Sequence, residues 1–273
     1  MHQASASHPP KSSSPQWRGT TARLARQPLV AAAYLEPLGA AWVSPLFGQP
    51  GFVRAIGRRA LLVASEPTFG DPLFSALRDG MAIAILGLDF ASERLSLVSG
   101  RAYVRQRGFV VRHGIAHRID ASSLPVRRWR LLPGIEAAGR LRQPAPLVDL
   151  ADHARLLATA DVCFVAFDAQ GSLQPIAGRP GFASFDGANS LTLAGNTARG
   201  IVNGPAGLLF VDFATGDVLQ LSGRTHRDRR DSDKRTFAIE TGQFTAAAIP
   251  IAWVEARFIS DTRPEPQTQR NNA

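Results

Sequence analysis

Short apolar runs broken by small and polar residues set the character of this chain. Leu29–Tyr34, Trp42–Leu46, Ala60–Ala64, Met81–Leu88 and Leu95–Arg105 each read as a strand. So do Val162–Phe167, Leu173–Ile176, Ser190–Ala194, Ala206–Phe213 and Val218–Thr225. Runs of this kind, bounded by Gly, Pro, Asp and Ser, predict the strands of a barrel or sandwich. Asp168-Ala169-Gln170-Gly171 and Ala214-Thr215-Gly216-Asp217 predict hairpin turns. Pro50-Gly51 and Pro180-Gly181 punctuate the chain in the same way. Two segments predict helices. One is Pro72–Arg78; the other is Val148–Ala160, with Leu150, Ala154, Leu157 and Ala158 at helical spacing.

The pattern occurs twice. Residues 45–52 (PLFGQPGF) and 175–182 (PIAGRPGF) share Pro, Gly, Pro, Gly and Phe at an offset of 130. Leu88–Arg101 and Val211–Arg224 share Asp, Phe, Ala, Ser, Gly and Arg at an offset of 123. The drop of seven between the two offsets gives the first copy a longer connection between these blocks. Two ordered matches point to internal duplication. The expected division is a disordered tail over 1–28, one repeat over 29–133, and a linker with a helix over 134–152. A second repeat follows over 153–260, then a tail over 261–273. The expected fold class is mainly β with short helices (β-barrel, α+β), the tandem repeats forming a pseudo-dimer within one chain.

Composition narrows the class. The 273 residues are 45% hydrophobic and 19% charged, as in globular domains. No apolar run approaches the roughly 18 residues of a membrane helix, so no membrane span is expected. A single cysteine, Cys163, excludes an intrachain disulfide framework and a multi-cysteine metal site. Its apolar strand predicts a buried, inert thiol. The cysteine count fits a reducing compartment, and the expectation is cytoplasmic. The first 28 residues hold no acid and resemble a transit peptide in composition, but a mobile cytosolic tail is preferred. The net charge of +9 comes almost wholly from arginine, since Lys11 and Lys234 are the only lysines. The basic residues are spread out, and the cluster at Arg227, Arg229 and Arg230 is interrupted by Asp228, Asp231 and Asp233. That dispersal argues against a phosphate-tracking stripe, and nucleic acid is not an expected partner.

A family resemblance rests on ordered blocks in both halves. The run Trp42-Val43-Ser44-Pro45-Leu46-Phe47-Gly48-Gln49-Pro50-Gly51-Phe52-Val53-Arg54 and the element Gly70-Asp71-Pro72-Leu73 carry the first half. Ala160–Ala166, Gly178–Phe182, Ala206–Phe213 and Gly216–Arg224 carry the second. Together they resemble the duplicated, predicted flavin-nucleotide-binding proteins of the pyridoxamine 5′-phosphate oxidase superfamily. The resemblance spans roughly 30–256 and implies split β-barrels with FMN in a groove between them. Relatives carry His-Arg-Gly-Gly before the second Pro-Gly-Phe; this chain has Pro175-Ile176-Ala177-Gly178 there.

A flavin monophosphate needs donors for its phosphate, an apolar wall for its ring and hydrogen bonds at the ring's polar edge. Arginine suits the phosphate because its planar fork donates two parallel hydrogen bonds. Gly195, Asn196, Thr197, Arg199 and Asn203 form the densest candidate cluster, with Arg179 beside the second Pro-Gly turn. The same cluster also reads as a capped turn leading into a short helix. Arg101 and Arg224 end the matched Ser-Gly-Arg strands, either aimed between the repeats or outward. Phe52 and Phe182 read as core anchors. His113 and His117 lack the setting of a metal pair, so no metal is expected. Nucleophile-elbow, Rossmann and P-loop patterns are absent. No catalytic residue is assigned.

The expectation is an FMN-binding protein with flavin-dependent oxidoreductase chemistry on an unknown small substrate. The chain would act as a monomeric pseudo-dimer or homo-oligomer. The alternatives are a non-catalytic derivative that binds another ligand or none, and a basic interaction module.

Overall fold

The computed structural model describes residues 14–89, 94–120, 128–131, 144–147, 149–169, 172–178, 181–186, 189–228, 231, 233–249 and 251–254. Helix α1 (Pro15–Leu24) begins where Ser14 accepts a hydrogen bond from the Trp17 N–H at 3.1 Å, with proline in the first turn. Trp17, Thr20, Thr21 and Leu24 recur at i, i+3, i+4 and i+7 and are buried. The Trp17 indole donates to the Gly57 carbonyl at 3.1 Å. This corrects the expectation of disorder through residue 28 for residues 15–28; residues 1–13 lie outside the described residues. The stripe is legible only in hindsight, because two of its four buried positions are threonines in a Ser- and Gln-rich stretch.

The first repeat runs β1 (Leu29–Leu35), β2 (Ala41–Phe47), β3 (Val53–Gly57), β4 (Ala60–Val63), α2 (Pro72–Ala76), β5 (Ala82–Asp89), β6 (Arg94–Arg105) and β7 (Gly108–Asp120). Next come β8 (Arg128–Leu131) and β9 (Ala145–Pro146), the latter inside the expected linker and paired with a strand of the second repeat. Residues 132–143 and 148 lie outside the described residues. A 3₁₀ turn (Ala151–His153) and α3 (Ala154–Thr159) occupy the expected second helix. The second repeat then runs β10 (Val162–Ala169), β11 (Ser172–Gly178), β12 (Ala183–Phe185), β13 (Ser190–Leu193), α4 (Asn196–Arg199), β14 (Gly204–Val211), β15 (Val218–Arg227) and β16 (Arg235–Thr245). Strand β17 (Ile251–Val254) returns to pair with β8.

The two halves share one topology. The first sheet has the order β2-β1-β5-β6-β7-β4-β3 and the second β11-β10-β14-β15-β16-β13-β12, all antiparallel. The chain is therefore mainly β with short helices, as expected, and its internal repeat is structural. Each sheet must curl. Seven strands laid flat would put β2 and β3 about 29 Å apart at ~4.8 Å per strand. The chain from Phe47 to Val53 can span at most about 22 Å. The two edges are thus drawn together into a half-barrel.

The duplicated Gly-x-Pro-Gly-Phe block is the device that makes this bend. Gly51 and Gly181 take φ of +99° and +77°, which only glycine adopts without strain. Phe52 and Phe182 turn inward and are buried, as expected, and their carbonyls accept from Ala64 N and Ala194 N respectively. The duplicated Ser-Gly-Arg block has a different origin. In both repeats the register shifts there, between Ser99 and Arg101 and between Ser222 and Gly223, forming equivalent β-bulges.

Among the described residues, three apolar clusters form the core. One fills the first half-barrel and includes Trp17, Tyr34, Phe52 and Phe109. Another fills the second and includes Phe167, Phe182, Phe210 and Phe237. The third is common to both, joining Ala33, Val43, Leu86 and Leu97 to Phe164, Leu209 and Phe213. The seam between repeats is thus a continuous core. It is tightest where β2 crosses β14: a side chain at Gly207 would lie 2.6 Å from the Ala41 carbonyl oxygen and 2.7 Å from Trp42 Cα. Cys163 is buried, and burial pushes its thiol pKa well up, which keeps it in the unreactive thiol form.

Candidate functional site

The longer connection of the first repeat builds a cleft. Residues 64–71 link β4 to α2, whereas the second repeat passes from Leu193 to Asn196 directly. Ser65, Glu66, Pro67, Thr68 and Phe69 of this connection line an open cleft of about 980 Å³. The bend at Gly48–Phe52 forms the opposite wall, and Arg54, Phe74, Gln106 and Arg107 complete the rim. The Ser65 hydroxyl donates to the Phe47 carbonyl at 2.9 Å, fixing the connection to the end of β2. Phe69 and Phe74 meet edge to face, centroids 5.3 Å apart, yet remain 60% and 50% exposed. Among the exposed large apolar side chains of the described residues, these two are in ring contact with each other and line the same cleft. The Arg54 guanidinium donates only to the Gly51 carbonyl, at 3.3 Å, and carries no ion pair among the described residues. The cleft thus offers aromatic surface beside two guanidinium groups.

Behind the same connection lies a buried polar network. Gly70 turns the chain, and Asp71 caps α2 by accepting from the Leu73 N–H at 2.8 Å. Asp71 is only 4% exposed and also accepts from the Ser44 hydroxyl at 2.5 Å. Its other oxygen accepts from the Gln220 amide at 3.0 Å, across the seam. That amide also donates to the Val43 carbonyl at 3.0 Å, while Gln220 Oε1 accepts from Gln243 at 2.7 Å. Burial raises the Asp71 pKa to about 6 against the pull of these donors. Tyr34, whose hydroxyl lies 3.5 Å from Ser44, is pushed well above its usual value by burial and by the Asp71 charge. The network breaks the symmetry of the duplication, because the first-repeat counterpart of Gln220 is Leu97, part of the shared apolar core.

The residues expected to hold a flavin phosphate fall elsewhere. Gly195 turns the chain at φ +91° into the four-residue helix α4, which Asn196, Thr197 and Arg199 form. The Arg199 guanidinium pairs with Asp233 at 2.6 Å, with both side chains about half exposed. Arg235, itself buried, donates to the Arg199 and Ile201 carbonyls. Asn203 Oδ1 accepts from the Arg227 N–H at 2.7 Å, and Arg224 stands nearby, exposed, opposite Pro205. These contacts are those of a capped surface turn. Arg101 lies in the first repeat, exposed, donating to the Gly80 carbonyl at 2.7 Å. Arg179 lies outside the described residues. The structure therefore groups the 195–203 residues with Arg224 at one end of the second repeat and puts Arg101 apart from them.

Sequence reasoning missed Arg54, Phe69, Phe74 and Arg107. One signal was available: the drop of seven in repeat offset marks the segment that now lines the cleft. No cluster of His, Cys, Asp or Glu among the described residues could hold a metal ion. No helix among them is long and apolar enough to cross a membrane. Comparisons with protein-family models, with curated proteins and with solved structures find no match to this chain.

Proposed function

We propose that the chain is a flavin-nucleotide-binding protein whose site is the cleft of the first repeat. The observation that carries this reading is the pairing of exposed Phe69 and Phe74 with Arg54 and Arg107 around one cleft. A flat apolar ring system with an anionic tail matches that donor set, and the cleft volume is at the upper end of cofactor sites. Phe69 and Phe74 would take the ring. Arg54 and Arg107 would take the phosphate, with Gln49 and Gln106 available to polar edges. FMN, when bound, supplies the electron transfer of an oxidoreductase; the residues of the chain bind it and orient it. The curled, duplicated fold supports the reading as analogy alone.

Titration of the protein with FMN, followed by flavin fluorescence and by retention on desalting, tests it. The expected result is saturable binding near one equivalent. Phe69→Ala with Phe74→Ala should weaken it at least about tenfold, the loss of roughly 1.4 kcal/mol. Asn196→Ala with Arg199→Ala should leave it unchanged. Binding lost in the second pair and kept in the first would move the site to the second repeat. No binding by the wild-type protein would leave a non-catalytic derivative as the better reading.

A further inference from the structure

The arginines that are dispersed in the sequence are gathered by the register of the first sheet. On β6, Arg101, Tyr103 and Arg105 alternate with the buried Ala102 and so share the outer face. Arg112 on β7 pairs directly with Arg101, and Val110 with Tyr103. Continuing the row, Leu62 on β4 pairs with Val110, and Arg54 on β3 pairs with Leu62. Arg107 stands at the β6–β7 turn, on the rim of the cleft. Arg54, Arg101, Arg105, Arg107 and Arg112 are all exposed, and none has an ion pair among the described residues. The segments 51–65 and 94–119 contain no Asp or Glu at all. Asp79, at the edge, accepts the Val104 N–H rather than a guanidinium.

Like charges set directly opposite one another destabilise a sheet, and no acidic side chain among the described residues pairs with Arg101 or Arg112. The duplication supplies the comparison. The second-repeat counterparts of the strand residues Arg54, Arg101, Arg105 and Arg112 are Ser184, Arg224, Asp228 and Ala238, so one of these four positions stays basic. The basic face thus has no equivalent set of four arginines on the strands of the second repeat. It is also aromatic. The Arg112 guanidinium lies over the Tyr103 ring at 5.0 Å.

We infer that this face binds single-stranded nucleic acid. The arginines outside the cleft would neutralise successive phosphates, and the Arg112–Tyr103 stack would take an unpaired base. A sulfated polysaccharide or an anionic lipid surface would use the charge and leave the aromatic groups idle. The inference does not depend on the flavin reading, since Arg101, Tyr103, Arg105 and Arg112 lie outside the cleft.

The test is fluorescence anisotropy of a labelled oligothymidylate of about 16 nucleotides, the upper site size of one small barrel, over about 50 to 200 mM salt. Affinity should fall with salt at a log–log slope of about −0.7 per phosphate contact. Arg101→Glu, Arg105→Glu and Arg112→Glu together should lower affinity by at least about tenfold and flatten the slope by about 2. Tyr103→Ala, which leaves the charge intact, should weaken binding by about fivefold or more without changing the slope. It also keeps the test decisive if circular dichroism shows that the triple variant does not fold. FMN binding should be unaffected by either. The inference fails if the wild-type protein gives no anisotropy change at the lowest salt, or if neither variant alters affinity. It fails equally if heparin or phosphatidylserine vesicles bind as tightly and Tyr103→Ala makes no difference.

Discussion

Gly207→Val is expected to lower the stability of the protein by roughly 3 kcal/mol, the upper part of the range for overpacking a filled core. The position is on β14, where the second repeat meets β2 of the first. A Cβ there would lie 2.6 to 2.8 Å from three backbone atoms of Ala41 and Trp42. Side chains can rotate away from such an intrusion; two strands fixed in their ladders cannot. β2 is held by β1 through seven paired residues, and β14 lies between β10 and β15. The strain therefore falls on the shared core, which includes Val43, Leu209 and Phe164. Urea unfolding followed by tryptophan fluorescence measures it, and the midpoint should fall with little change in slope. Because the core is shared, one transition is expected for wild type and variant alike. A change within about 0.5 kcal/mol would mean that the seam is looser than the geometry implies.

The second large effect is a pH dependence that belongs to Asp71. Its folded pKa is raised to about 6 from the ordinary 3.8. The folded state therefore binds this proton more tightly than the unfolded chain does. The stability it contributes is present in full below about pH 4 and is lost as pH rises through about 6. A shift of about two pKa units corresponds to roughly 3 kcal/mol. Ser44, the Leu73 N–H and Gln220 all donate to this carboxylate, and Tyr34 is the titratable group nearest to it in the network. Asp71→Asn removes the titration while keeping an acceptor for Ser44 and Leu73. The difference in unfolding free energy between wild type and variant should change by about 2 kcal/mol between pH 4.5 and 7.5, because part of the effect is already lost above pH 4. Its direction should favour wild type at the acid end. Parallel stability curves would show that Asp71 is not the group responsible.

Much of the fold was legible because each β-strand prediction rested on a local pattern. The expected strand at Leu29–Tyr34 is observed at Leu29–Leu35, and that at Leu95–Arg105 at Arg94–Arg105. The strands that escaped notice fail the pattern for physical reasons. β3 (VRAIG) exposes four of five residues, and β12 is three residues long. β7 and β16 are long, but their apolar runs are interrupted by Arg112, His113 and Gly114 and by Glu240, Thr241, Gly242 and Gln243. They are strands because neighbours on both sides supply hydrogen bonds, not because their composition demands it. α1 escaped for the same reason, since its threonines become core residues only once the first sheet is in place.

The sequence by itself determined the β-rich class, the duplication, the bends at the two Pro-Gly-Phe blocks and the unequal length of the repeats. All of these are local: they depend on backbone preference at named residues or on the order of blocks along the chain. The tertiary structure alone decided where charge and polarity collect. Arg54, Arg101, Arg105 and Arg112 are scattered over about 60 positions and become one surface because antiparallel register places them there. Gln220 and Asp71 are 149 residues apart and meet because the two half-barrels share a core. Contacts of that span leave no trace in a single sequence, since nothing local to either residue changes when its partner arrives.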